Sequence, residues 1–269
     1  MSSLAYTVAD SRTMLRRNLK HQLRYPSLTL MLAGMPIVFL LLFVYVLGGQ
    51  LGKGIGGGLV PHGGRSAYIT YVVPGILIIT VASAALGTAI SVATDMTGGI
   101  IDRFRTMSIA RAAVLVGHVV GSLLQTFVVL ALVLGVALAM GFRPTAGPLA
   151  WLASAGVLAL FALALIWLSA ALGLAAKSVE TASNTPMFLT LLPFLSSGFV
   201  PTKTMPDGLR QFAEYQPFTS VTQTLRGLLT NAPIGMHAIV AIAWSAGIAL
   251  VSYLWAIRLY NNRRAAHPS

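Results

Sequence analysis

Cysteine is absent from this chain, and charge is nearly so. The lack of any cysteine in 269 residues excludes disulfides, thiolate metal sites and cysteine nucleophiles. Charged residues make up 9% of the sequence, against about 25% in soluble domains, while hydrophobic residues make up 56% and the mean hydropathy is +0.80. A soluble globular domain is thereby excluded. Acids are scarcest of all, six against eighteen Lys and Arg. The chain has no H-E-x-x-H, no G-x-S-x-G and no paired carboxylates in its apolar runs, which leaves the common hydrolytic chemistries without their groups. Gly52-Lys53-Gly54 superficially suggests a phosphate loop, but the positions that need Gly and Ser or Thr hold Leu47 and Gly54. The net charge of +12 is spread along the flanks of apolar runs, which points to anionic lipid and not to nucleic acid.

What the chain does have is long apolar runs. They predict an all-α integral membrane protein with six transmembrane helices over 27–47, 68–94, 112–140, 148–176, 182–200 and 234–257. Residues 1–26 precede them, 27–258 form the membrane domain, and 259–269 are a basic tail. A glycine-rich loop from Gly48 to Gly64 separates the first two spans. The fifth span carries Pro186 and Pro193, so it is expected to be kinked and to line a cavity or pack on protein. Residues 201–233 are too polar for a span and too apolar for a simple loop. Two short helices dipping back into the membrane as a re-entrant pair suit them best. No Asp or Glu falls inside these limits, so the midplane ion site of an ion-coupled transporter is not visible.

The lead 1–26 places Leu4, Val8, Leu15, Leu19 and Leu23 on one helical face and Arg16, Arg17, Lys20 and Arg24 beside it, an amphipathic helix on the membrane surface. A cleavable signal peptide fits this lead poorly. Between the second and third spans, Gly98 and Gly99 make a bend. A short two-faced helix over 98–110 follows, with Ile100, Ile101, Phe104 and Met107 on one side and Asp102, Arg105 and Thr106 on the other. Such a helix either rests at the headgroups or docks a partner. Six spans put both termini on one side. Twelve of the eighteen Lys and Arg lie in the lead, the 95–111 interval, the short 177–181 break and the tail, so the positive-inside rule makes the termini cytoplasmic.

Within the spans, His118 and Gln125 are seven apart and share a face. A hydrogen bond across a helix interface is the expected role of such a pair, with substrate contact the alternative. Gly117 and Gly121 form a G-x-x-x-G packing motif on the same span. Phe188, Phe194 and Phe199 on the broken fifth helix are either core or contacts for an apolar substrate.

Two segments carry a family likeness: GIIDRFRTMSIARAAVLVGHVVGS (Gly99 to Ser122) and LPFLSSGFVPTKTMPDGLRQFAEYQPFTSVTQTLRGL (Leu192 to Leu228). With the basic N-terminal helix, they make the whole chain resemble the membrane permease of a type-2 ATP-binding-cassette exporter, nearest its daunorubicin-resistance branch. The resemblance implies that 98–110 is a coupling helix docking on a separate ATPase subunit, with Phe104 and Met107 as apolar anchors and Asp102, Arg103 and Arg105 as polar contacts. It implies that ATP and Mg are bound by that subunit and no cofactor by this chain. A second permease copy, identical or unlike, would complete the path, lined by the second and fifth spans. The 201–233 pair would cap its outer mouth. The implied function is export of a hydrophobic or amphipathic compound, an antibiotic or lipid-like molecule, across the bacterial plasma (inner) membrane. Export of a glycan or glycolipid is the alternative, and an ion-coupled secondary transporter the more distant one.

Overall fold

A computed structural model describes residues 26–49, 64–97, 111–176 and 178–262. The N-terminal helix proposed over 1–26 lies outside the described residues but for Pro26, as does the whole two-faced helix 98–110. Among the described residues every regular element is helical. The long helices are α1 (Pro26–Leu41, running on as a π-helical turn Leu42–Leu47), α2 (Arg65–Thr97), α3 (Arg111–Ala139) and α4 (Pro148–Ala175). Short elements follow: α5 (Val179–Asn184), α6 (Met187–Leu191), a 3-10 turn Leu192–Leu195, a second Thr202–Thr204, α7 (Asp207–Tyr215) and α8 (Pro217–Thr230). The last is α9 (His237–Asn262).

The centre of the fold is α2. At 33 residues it is about 50 Å long, and it packs against α1, α3, α4, α5, α6 and α8. Its apolar residues occur all round the helix, so it has no polar face to give to water and is buried on nearly every side. Two backbone contacts set how near its neighbours come. A Cβ on Gly75 would lie 2.8 Å from the Cα and carbonyl oxygen of Gly198, and a Cβ on Gly173 of α4 would lie 2.5 Å from the carbonyl oxygen of Ala89. Only glycine permits either approach.

The outer layer is the reverse. α9 packs along α4, where Tyr253 meets Trp167 edge to face at 4.9 Å, but most of its surface is exposed. Leu250, Val251 and Leu254 on α9, Met31 and Val46 on α1 and its π turn, and Leu149 and Leu152 on α4 are open large apolar side chains. Exposed apolar surface on this scale suits a lipid solvent, not water. Among the described residues, five helices are long and apolar enough to cross a membrane: Thr29–Leu47, Arg65–Met96, Leu115–Ala139, Pro148–Ala175 and His237–Tyr260.

The stretch 182–200, predicted as a fifth kinked span, is not one helix. Pro186 and Pro193 lack the N–H that a continuing helix requires, and the chain divides there into α5, α6 and the 3-10 turn, followed by a buried turn at Ser196–Phe199. It nonetheless climbs alongside α2. Ala182 packs with Ala93 at one end and Gly198 meets Gly75 at the other, a rise of about 27 Å along α2. At its start Ser178 accepts from the Thr181 N–H and Glu180 occupies the first turn, the usual chemistry of a helix N-terminus.

The 201–233 region forms two helices, as predicted. Exposed α7 carries the ion pair Arg210 Nε to Glu214 Oε1 at 3.0 Å, which holds the Glu214 carboxyl below its usual range and, in water, adds little stability. In contrast, α8 is largely buried against α2, α4 and α9. It ends at Asn231 in the left-handed conformation (φ 52°), whose side chain donates to the Thr145 carbonyl at 2.7 Å.

These contacts predict opposite outcomes for two substitutions in one helix. Gly173→Ala drives a methyl into Ala89 and should lower stability by about 1–3 kcal/mol. Gly156→Ala, with nothing within 4 Å, should leave it unchanged or slightly raised. Unfolding of the detergent-solubilised chain by sodium dodecyl sulfate titration measures both.

Candidate functional site

Stripes from three long helices line a partly open cavity of about 810 Å³. Ile79, Ser83, Leu86, Ile90 and Thr94 recur on α2 at spacings of three and four, a single helical face. α3 presents His118, Ser122 and Gln125 with the same periodicity, and α1 presents Met31, Met35 and Phe39. Met187 and Leu191 of α6, with Phe194 beyond, border a further side. The size and the mixture, mostly apolar wall with a few polar groups, are those of a small-molecule site.

One end of the cavity is charged. His118 Nε2 donates to Asp95 Oδ2 at 3.0 Å, with side-chain exposures of 7% and 15%. Sequence reasoning ended the second span at 94 and so found no acid inside a membrane helix. In the structure α2 runs on to Thr97 and the membrane-length segment includes Asp95. The pairing with His118 contributes to making this tolerable, since a lone buried carboxylate is costly. His118 thus makes the inter-helix bond expected of it, and Gln125 lies on the same lining face. Gly117 and Gly121 are buried, as a packing motif requires. Among the described residues the lining includes one carboxylate and no Lys or Arg.

Phenylalanines fill the other end. Phe194 meets Phe39 edge to face at 5.2 Å and stacks on Phe199 at 5.2 Å, and Phe199 stacks on Phe43 at 4.6 Å. Of the three aromatics singled out on the broken helix, Phe194 lines the cavity, Phe199 is buried behind it, and Phe188 is exposed on α6 away from the lining.

Beyond the phenylalanines sits a cation that the sequence did not distinguish from loop charges. Arg226 of α8 donates through Nη2 to the carbonyl oxygens of Tyr71 (3.0 Å) and Ser197 (2.9 Å), and through Nη1 to Gln223 Oε1 (3.0 Å). Its guanidinium also lies 3.8 Å from the centre of the Tyr71 ring, while the Tyr71 hydroxyl donates to Ser197 O at 2.9 Å. Side chains of α8 serve the buried turn as well: the Ser197 N–H donates to Thr219 Oγ1 at 3.1 Å. Arg226 therefore staples α8, α2 and the turn after the broken helix. Its one sequence signal is position, next to the apolar stripe of Val221 and Leu225 on the same helix.

The predicted coupling residues Gly98, Gly99, Ile100, Ile101, Asp102, Arg103, Phe104, Arg105 and Met107 lie outside the described residues, and so do Arg16, Arg17, Lys20 and Arg24. Among the described residues no group of three His, Asp or Glu side chains is placed to hold a metal.

Comparison with known proteins comes to the same region of sequence space. A family model described as ABC-2 type transporter matches residues 10–230. A daunorubicin resistance ABC transporter permease protein of Streptomyces coeruleorubidus is 29% identical over 262 residues, covering 97% of this chain and 89% of the relative. A probable doxorubicin resistance ABC transporter permease protein of Mycobacterium tuberculosis is 23% identical over 163 residues, 61% of this chain and 59% of the relative.

The staple predicts a graded loss. Arg226→Ala removes the guanidinium donor from two carbonyls and its stacking on the Tyr71 ring and should cost about 1–3 kcal/mol, whereas Tyr71→Phe, which removes one hydroxyl bond but keeps the ring under the guanidinium, should cost about 1 kcal/mol. Protease sensitivity of the 196–206 turn should rise in the same order.

Proposed function

The chain belongs to the ABC-2 type transporter family, and from that premise we propose that it is the membrane permease subunit of an ATP-driven exporter whose cargo is an amphipathic, drug-like compound. The observation that carries this reading is the cavity, a largely apolar, partly open cleft of about 810 Å³ with a few polar groups, lined mainly by helices long enough to cross a bilayer. The relatives' names attach daunorubicin and doxorubicin resistance to proteins of this kind. Energy has to come from elsewhere, since the sequence contains no phosphate loop. A separate ATPase subunit binds ATP and Mg, and a second permease copy completes the assembly.

In this reading the chain crosses the bacterial inner membrane six times. The sixth crossing is the segmented climb from Val179 to Phe199 beside α2, and both termini are cytoplasmic. Irregular backbone at membrane depth survives only where protein satisfies it, and the Arg226 and Thr219 bonds do so. α7 and α8 form the re-entrant cap at the outer face, and the Arg226 staple holds the outer gate to α2.

Force enters through residues 98–110. That interval joins the end of α2 to the start of α3, the two helices that contribute Asp95 and His118 to the cavity. A displacement of the interval by the ATPase thus shifts the two walls of the chamber against each other without any intermediate element. ATP-driven closure of the partner biases the equilibrium between inward-open and outward-open states by contacting them unequally.

Phe104→Asp tests this. A charge placed at an apolar docking contact should weaken ATPase association by about tenfold or more and lower export in proportion, while the chain still inserts and folds. Co-purification and vesicle transport measure the two effects, and unaltered association with unaltered export would remove the coupling role.

A further inference from the structure

The phenylalanine end of the chamber joins two elements that are held very differently. Phe39 and Phe43 of α1 and its π turn meet Phe194 and Phe199 of the broken segment in a closed ring of contacts. Phe39 lies 5.2 Å from Phe194, Phe194 5.2 Å from Phe199, Phe199 4.6 Å from Phe43, and Phe43 6.5 Å from Phe39. We propose that this ring is the outer latch of the chamber: it is shut while the α1 rings rest on Phe194 and Phe199, and it opens when the outer end of α1 swings away at its π turn. The proposal rests on the exporter reading above and assigns one of its moving parts.

Three observations support it. First, the turn that carries Phe199 is fixed. The Ser197 N–H donates to Thr219, Ser197 O accepts from Arg226 and Tyr71, and the Phe199 carbonyl accepts from the Tyr68 hydroxyl at 3.5 Å. Gly198 sits against Gly75. All these ties run to α2 or α8, and among the described residues no hydrogen bond joins the turn to α1. Second, the other side is loosely held. The π turn packs chiefly on α2, and Leu41, Leu42, Tyr45 and Val46 are exposed. Arg65 at the start of α2 lies 4.9 Å from the centre of the Tyr45 ring, so the outer end of α1 swings about α2 and not free of it. What reaches the broken segment is aromatic surface, which parts without stranding a polar group. Phe39, Phe43 and Phe194 are each half-buried, so separating them is not the opening of a packed core.

Third, the π turn begins at Leu42, between the two phenylalanines of α1. Each N–H of a π turn bonds the carbonyl five residues back, and the α-helical partner lies one residue nearer. Exchange of one pattern for the other rotates whatever lies beyond, and Phe43 lies beyond. A loose leaf with a hinge thus closes on a leaf that is stapled.

Because the chain has no cysteine, Ser83→Cys gives a unique thiol on the chamber wall. The test uses the full-length chain in sealed right-side-out vesicles without ATP and a membrane-impermeant cationic methanethiosulfonate added outside. Phe43→Ala should raise the labelling rate about tenfold or more, whereas Phe188→Ala, which removes an exposed ring outside the latch, should leave it unchanged. Equal rates with and without the Phe43 ring would overturn the latch.

A second measurement keeps Phe43 in place. Phe39→Cys combined with Phe194→Cys allows the two sides to be bridged by a short bis-methanethiosulfonate linker in the complex with the ATPase. Bridging should lower ATP-driven dye export about tenfold or more, and reduction of the linker should restore it. Export unchanged by the bridge contradicts the proposal. The two readings fail separately. Labelling that depends on Phe43, without any ATP-driven export by the native chain, sinks the exporter and leaves the latch; export intact with labelling indifferent to Phe43 does the reverse.

Discussion

The structure depends on how closely two neighbours can approach one buried helix. Where α2 meets the turn at Gly198 and the C-terminal part of α4 at Gly173, there is backbone-to-backbone contact with no side chain between. In a membrane, apolar side chains gain little by leaving lipid for protein, so close packing of small residues supplies much of the cohesion. The glycine contacts hold α4 and the broken helix against α2. With those two placed, α8 and α9 have a surface to pack on, and the chamber between α1, α2 and α3 acquires a fixed back wall.

The second constraint is polar. The chain from Pro186 to Phe199 abandons continuous helix at a depth where water is scarce, and each freed carbonyl or N–H has to find a partner. Arg226 meets this demand from another element, bonding Tyr71 O and Ser197 O while its flat face lies on the Tyr71 ring. A lysine would supply charge but not the planar fork or the stacking surface. One side chain thereby ties the end of the broken helix, α2 at Tyr71 and α8 together. The same turn packs Phe199 under Phe194, so the staple also fixes the apolar end of the chamber.

The spans were legible because charge is so rare that each apolar run is framed by it, and four predicted limits agree with long helices to within a few residues. The end of α2 was misjudged at Asp95 because hydropathy scores a carboxylate as if it stood alone, whereas here His118, twenty-three positions later, donates a hydrogen bond to it. Pro186 and Pro193 announced a disturbed span. They did not announce its division into three pieces, which relies on partners such as Thr219 that no local pattern reveals. Arg226 was counted as an outer loop charge for the same reason, since its ring partner Tyr71 lies 155 positions away. The shared face of His118 and Gln125 was visible from their spacing, and both side chains line the chamber.

One geometric relation links these parts to the proposed work: the interval that receives force connects directly to the two helices whose paired side chains stand at the chamber's charged end. Coupling would then be short-range, with the outer staple as the fixed point and the α2–α3 junction as the moving one. The most direct measurement is accumulation of an amphipathic dye in inside-out vesicles bearing this chain and its ATPase. The account predicts uptake that starts on addition of ATP, stops when ATP is removed and survives collapse of the proton gradient. Uptake that continues without ATP and vanishes with the gradient would contradict it.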